Sequence, residues 1–218
     1  SSVTLEKGQT FTLTASEIVG NQQRCAITYK NLASQVKPGT AILIDDGKVA
    51  LKVLRVEGKD VVCKVTGAGK ISNRKGVNVP KTHLELTYLS EADKKDLLFG
   101  IENDVDYIAA SFVRTVRDVM DLRDFLSANG GDSIKIISKI ENMEGIHNFR
   151  KILACSDGIM VARGDMGVEV NFAKLPGLQK KIIKECCQAG KIVITATQML
   201  ESMTANPAPT RADRKSVV

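Results

Sequence analysis

The stretch Ile136-Ile137-Ser138-Lys139-Ile140-Glu141-Asn142 decides the fold. A short apolar run ends in a lysine and a carboxylate two residues apart. Downstream, Gly158-Ile159-Met160-Val161-Ala162-Arg163-Gly164-Asp165-Met166-Gly167 repeats the form, with a carboxylate on a glycine turn. A continuous apolar run of this length fits a parallel strand covered on both faces. Such strands deliver side chains to the carboxyl edge of a sheet, where α/β proteins build their sites. One ammonium (Lys139) and two carboxylates (Glu141 and Asp165) on neighbouring strand ends suit a divalent metal and an anionic substrate.

Working outward, residues 82–212 keep one grammar. Ser90-Glu91-Ala92-Asp93 caps a helix that runs to about residue 102. A strand is expected over 106–112 and a helix over 115–129, stopped by Gly130-Gly131. Then come a strand at 134–139, a helix at 143–155, a strand at 158–162, a helix at 173–189 ended by Gly190, and a strand at 191–195. Strands alternating with helices predict a parallel sheet. Residues able to do chemistry follow each strand: Ser111-Phe112-Val113-Arg114, Lys139 and Glu141, Arg163-Gly164-Asp165, and Thr197-Gln198. A doubly wound sheet gathers its site at one switch point. A (β/α)8 barrel draws its site from the ends of several strands. The pattern therefore predicts part of a barrel.

Residues 1–81 read differently. Thr10-Phe11-Thr12-Leu13-Thr14 alternates, and Ala41-Ile42-Leu43-Ile44 runs into the hairpin turn Asp45-Asp46-Gly47. Further strands are expected at 49–56 and 61–65. Short strands at even spacing predict a small barrel or sandwich.

The chain has 218 residues, enough for one large or two small domains, and 43% of them are hydrophobic, which allows a sizeable core. No apolar run approaches the roughly 20 residues of a membrane span, and the polar N-terminus does not read as a secretory signal. Five cysteines form no C-x-x-C pair, which suits a reducing compartment and neither disulfides nor a zinc site. Adjacent Cys186 and Cys187 read as core filler. The net charge of +6 is uneven: residues 1–81 carry 13 basic and 6 acidic residues, and 82–218 carry 18 and 19. The basic segment could meet nucleic acid, an acidic surface or a nucleotide phosphate. With 4% aromatic residues, stacking platforms for nucleic acid are few. His83 and His147 are the only histidines, neither on a strand end, so a triad hydrolase finds no support. No G-x-x-x-x-G-K-[ST] loop is present.

Six segments together resemble pyruvate kinase. They are Asn73-Arg74-Lys75-Gly76-Val77-Asn78-Val79-Pro80, Ala110-Ser111-Phe112-Val113-Arg114, Ile137-Ser138-Lys139-Ile140-Glu141-Asn142, Val161-Ala162-Arg163-Gly164-Asp165-Met166-Gly167, Ala196-Thr197-Gln198-Met199-Leu200-Glu201-Ser202-Met203 and Pro209-Thr210-Arg211-Ala212. The resemblance implies that residues 1–81 are the family's all-β lid domain. It implies that 82–212 are the fourth to seventh strands of its TIM (β/α)8 barrel. Residues 213–218 depart from the family and read as a non-native tail. The arginine that holds the substrate phosphate and the ligands of the monovalent cation would lie outside this chain, as would the eighth strand and the C-terminal domain.

The resemblance also implies roles. Glu141 and Asp165 match the ligands of Mg²⁺ or Mn²⁺, although an ordinary salt bridge to Lys139 or Arg163 is the plainer reading of such residues. Lys139 matches the lysine against the transferring phosphoryl group. Gly164 and Asp165 match positions whose amides bind the substrate carboxylate. Thr197 matches a substrate contact near the carbon that is protonated, and its plainer reading is a helix N-cap. Lys75 matches a lysine that meets the nucleotide phosphates. The implied reaction takes phosphoenolpyruvate and ADP to pyruvate and ATP, with Mg²⁺ or Mn²⁺, often K⁺, in a cytoplasmic homotetramer that binds neither nucleic acid nor membrane. A Mg²⁺-dependent barrel lyase or mutase acting on related enolates is the alternative. A non-catalytic binding module is a third reading. The isolated chain, with open sheet edges, is expected to be inactive and poorly soluble.

Overall fold

The computed structural model describes residues 2–197 and 200–210, apart from the side chain of Phe172. Gln198-Met199, Arg211-Ala212 and the expected tail at 213–218 lie outside the described residues. The chain divides into two compact units, the first ending at Glu85 and the second beginning at Leu86.

The first unit is built from β1 (Ser2–Leu5), β2 (Thr10–Thr14), β3 (Arg24–Ala26), α1 (Leu32–Gln35), β4 (Ala41–Ile44), β5 (Val49–Glu57), β6 (Asp60–Gly67), β7 (Gly69–Ser72) and β8 (Val77–Asn78). Six strands form one sheet in the order β3-β2-β6-β5-β4-β8, and β1 pairs antiparallel with β7. The expected strands at 10–14, 41–44, 49–56 and 61–65 all form. β4 and β5 meet across the expected turn, with Ile44 opposite Val49. Asp45, Asp46 and Gly47 all take positive φ there (52°, 55° and 84°). Phe11, Leu13, Ile42, Leu51 and Val65 fill the core at 0–1% exposure. Their alternation along each strand is what the sheet reads. The short helix α1, held by buried Leu32, was not anticipated, because four residues carry no helical period.

The second unit runs α2 (Glu91–Glu102), β9 (Tyr107–Ala110), α3 (Val116–Ala128), β10 (Lys135–Ile140), α4 (Met143–His147), α5 (Phe149–Cys155), β11 (Gly158–Ala162), α6 (Arg163–Glu169), α7 (Leu175–Gln188) and β12 (Ile192–Ala196). All four strands are parallel and lie in chain order, β9-β10-β11-β12. The inner strands are buried almost throughout, whereas Tyr107 of β9 and Ile192 and Ile194 of β12 are exposed. Among the described residues, each outer strand has one neighbour only.

Local chemistry explains the boundaries. Ser90 and Thr115 each cap their helix through a reciprocal box with the residue three on, Asp93 and Asp118. Gly158 opens β11 because a Cβ there would lie 2.6 Å from Ile137 Cδ1. The helix expected at 143–155 is divided at Asn148, whose side-chain amide donates instead to the carbonyl of Arg114. The helix expected from 173 begins at Leu175, where Pro176 sets the first turn. Cys186 is buried as expected, and burial pushes its thiol up to about 11, but Cys187 is exposed.

Candidate active site

Among the described residues, the candidates of the second unit stand at the carboxyl end of a strand or just beyond it. Lys139 lies on β10, and Glu141 follows its last residue. Ser111 and Phe112 follow β9, Gly164 and Asp165 lie in the first turn of α6 directly after β11, and Thr197 follows β12. The register sets Ser138 beside Ala110 and Val161 beside Thr195, so these ends lie along one edge.

Lys139 Nζ donates to Ser111 Oγ at 2.9 Å and lies 2.8 Å from Glu141 Oε1. The backbone N–H of Phe112 donates to Glu141 Oε2. The Glu141 side chain is 1% exposed and that of Lys139 is 22% exposed. Burial pushes the Glu141 carboxyl above its ordinary value, the Lys139 and Phe112 hydrogen bonds oppose this, and the nearby charge of Asp165 adds to the rise. The plain salt bridge is therefore present between Lys139 and Glu141. Its setting makes it unusual: a carboxylate buried at a sheet edge and repelled by a second one.

That donor set fits a divalent cation. A cation would relieve both the burial of Glu141 and its repulsion by Asp165, and hard carboxylate oxygens are the ligands Mg²⁺ and Mn²⁺ take. No group of three or more His, Cys, Asp or Glu side chains able to hold a metal occurs among the described residues. Two carboxylates would leave the remaining positions to substrate and water.

On the neighbouring strand ends, the Gly164 N–H donates to Thr197 Oγ1 at 3.1 Å. Arg163 Nε donates to the Thr197 carbonyl at 3.3 Å, and Arg163 Nη1 to Gln179 Oε1 at 3.2 Å. Thr197 has φ 65°, a rare conformation for a β-branched residue. Thr197 is not the N-cap of the 3-10 turn Glu201–Thr204, whose N-cap position is Leu200, with no side-chain cap. Gln179 escaped the sequence reading, because a glutamine on an amphipathic helix carries no signal of its own.

In the first unit, Lys75 Nζ lies 3.0 Å from Asp45 Oδ1, and Lys48 reaches Oδ2 of the same carboxylate at 3.2 Å. The hydrogen bonds from Lys75 and Lys48 hold the Asp45 carboxyl below its ordinary value.

The parallel strands with a carboxylate and lysine edge define an α/β chain of the (β/α)8 class, with its candidate residues at the carboxyl strand ends. The family model described as "Pyruvate kinase, barrel domain" matches residues 1–218. Pyruvate kinase of Clostridium perfringens is 51% identical over 214 residues, 98% of this chain and 45% of the relative. That of Clostridium acetobutylicum is 50% identical over 218 residues, 100% of this chain and 46% of the relative. A crystal structure of a pyruvate kinase from Cryptosporidium parvum superposes with a TM-score of 0.90 at 41% identity, covering 99% of this chain and 45% of that one. The chain belongs to the pyruvate kinase family. It spans a little under half the length of the relatives it matches. Its fold is a half (β/α)8 barrel preceded by a small all-β unit. The lyase or mutase alternative finds no support among these matches, and no helix of the described residues is long and apolar enough to cross a membrane.

Proposed function

We propose that the protein carrying this chain transfers the phosphoryl group of phosphoenolpyruvate to ADP. The bond between phosphorus and the enolate oxygen breaks, and a bond to the terminal oxygen of ADP forms. The enolate then takes a proton at carbon and becomes pyruvate. The observation that carries this reading is the Lys139 ammonium, fixed by Ser111 and Glu141 on a strand end. A fixed ammonium offsets charge developing on the phosphoryl and enolate oxygens without reorganising as the bond breaks.

Glu141 and Asp165 would hold Mg²⁺ or Mn²⁺. Bound there, the cation supplies charge neutralisation for phosphoryl and enolate oxygens. The amides of Gly164 and Asp165 and the hydroxyl of Thr197 receive the substrate carboxylate, and Lys75 meets the nucleotide phosphates. K⁺ dependence, with ligands outside this chain, cytoplasmic location and a homotetramer belong to the same proposal by family likeness. The activity is assigned to the longer protein; the 218 residues alone, with a sheet edge open on β9 and on β12 among the described residues, are expected to give none. The test is formation of pyruvate from phosphoenolpyruvate and ADP by the full-length protein with and without Mg²⁺. Metal-dependent pyruvate and ATP in equal amounts are expected, and their absence would overturn the reading.

A further inference from the structure

Thr197 poses a physical problem. A β-branched residue at φ 65° is strained, and such a conformation persists only where its surroundings over-determine it. Two hydrogen bonds do so, and both come from the first turn of α6. The Gly164 N–H donates to the Thr197 hydroxyl oxygen, and Arg163 Nε donates to the Thr197 carbonyl. The first bond fixes the side chain, and the second fixes the peptide plane that follows.

Arg163 can act this way only if its guanidinium is itself held. Its Nη1 donates to Gln179 Oε1, and Gln179 is 3% exposed on α7, a helix that packs against β12 and α6. A buried amide on a packed helix has little freedom, so the guanidinium plane is set from inside the core. The planar fork of Arg suits this, since one end can hold the carbonyl while the other meets the amide.

We infer that Gln179 and Arg163 are positioning residues for Thr197: Gln179 orients Arg163, and Arg163 locks the strained Thr197 backbone so that, before substrate arrives, its hydroxyl lies against the Gly164 amide, beside which the proposed carboxylate is received. The catalytic importance of that hydroxyl rests on the proposed phosphoryl transfer; the positioning does not. The Gly164 amide reports on it directly, because the first-turn amides of a helix have no intrahelical acceptor.

The test is residue-resolved amide hydrogen exchange on the full-length protein, together with steady-state kinetics. Thr197→Val gives the exchange rate of Gly164 without the hydroxyl. Gln179→Leu keeps volume but loses the acceptor, and Arg163→Lys keeps charge but loses the fork. Each is expected to speed Gly164 exchange roughly tenfold, and Gln179→Glu, which keeps the acceptor oxygen, to leave it within about twofold of the parent. In the same variants kcat is expected to fall while KM for ADP holds, with Gln179→Glu restoring kcat. Unchanged Gly164 exchange in Gln179→Leu and Arg163→Lys would overturn the inference. Should Gln179→Leu also lose protection at Ile159 of β11, its fold has failed, and Arg163→Lys alone decides. A parent protein that makes no pyruvate would sink the proposed activity, while Gly164 exchange would still settle the positioning.

Discussion

The backbone N–H of Phe112, at φ 53°, donates to the carboxylate of Glu141 from the next strand end. The chain turns left-handed just after β9 and so points this amide at a buried charge. Phe112 itself is 48% exposed, so its ring contributes little to the core.

Phe112→Gly keeps the amide and removes the strain. It is expected to raise stability by about 1 kcal/mol, the strain relieved less the extra freedom of glycine when unfolded. Phe112→Pro, which lacks the N–H and cannot take positive φ, is expected to lose stability. Urea midpoints measure both. A glycine variant clearly less stable than the parent would show that the ring is what the position needs.

Lys139→Met in the full-length protein is expected to abolish phosphoryl transfer while Mn²⁺ binding, followed by paramagnetic resonance, persists. It also strands the buried Glu141 carboxylate, at a cost of about 3 kcal/mol in the metal-free protein. Turnover near that of the parent would remove Lys139 from the chemistry.

Asp157 ties two elements together, accepting from the Ile136 N–H at 2.8 Å and from Arg123 at 2.9 Å. Burial alone would raise its carboxyl, but the Ile136 and Arg123 hydrogen bonds outweigh it and hold the value below the ordinary one. The folded value lies under the unfolded one, so the stabilisation is complete above the unfolded pKa of about 4 and is lost as pH falls through the folded value. Asp157→Asn is therefore expected to cost about 1 kcal/mol at neutral pH, with the gap to the parent closing in acid. A gap that stays constant from pH 7 to pH 3 would contradict this.

Lys191 Nζ donates to the carbonyls of Leu153 at 2.6 Å, Ala154 at 2.9 Å and Ser156 at 2.7 Å. One ammonium thus closes the carbonyl end of α5, where a cation is electrostatically favoured. Lys191→Met keeps most of the stem and removes all three bonds, and is expected to cost about 2 kcal/mol in thermal unfolding. An unchanged midpoint would mean that water replaces the ammonium at no loss.

The barrel half of the fold was legible because its inner strands are apolar on both faces and stop at charges, as at Ile140-Glu141 and Ala162-Arg163. Lys139 and Glu141 stood out because charge at the end of such a run has no packing explanation. The pairing of Gly164 with Thr197 was not legible, since it joins residues far apart in sequence through a backbone amide. Gln179 was invisible for the same reason: its acceptor matters only once α7 is laid beside α6. The break at Asn148 and the late start of α7 at Leu175 were missed because single residues, Asn148 and Pro176, overrode a helical period that runs on past them.

The two outer strands of the parallel sheet, β9 and β12, each leave one side unpaired among the described residues. Strand edges of this kind join any strand that comes alongside. Closure of such a sheet by further strands of the same molecule proceeds at a rate independent of how much protein is present. Joining of two molecules at these edges goes as the square of concentration. Dilution therefore separates the two fates: refolding that improves on dilution reports edges waiting for their own chain, and refolding indifferent to dilution reports edges already met.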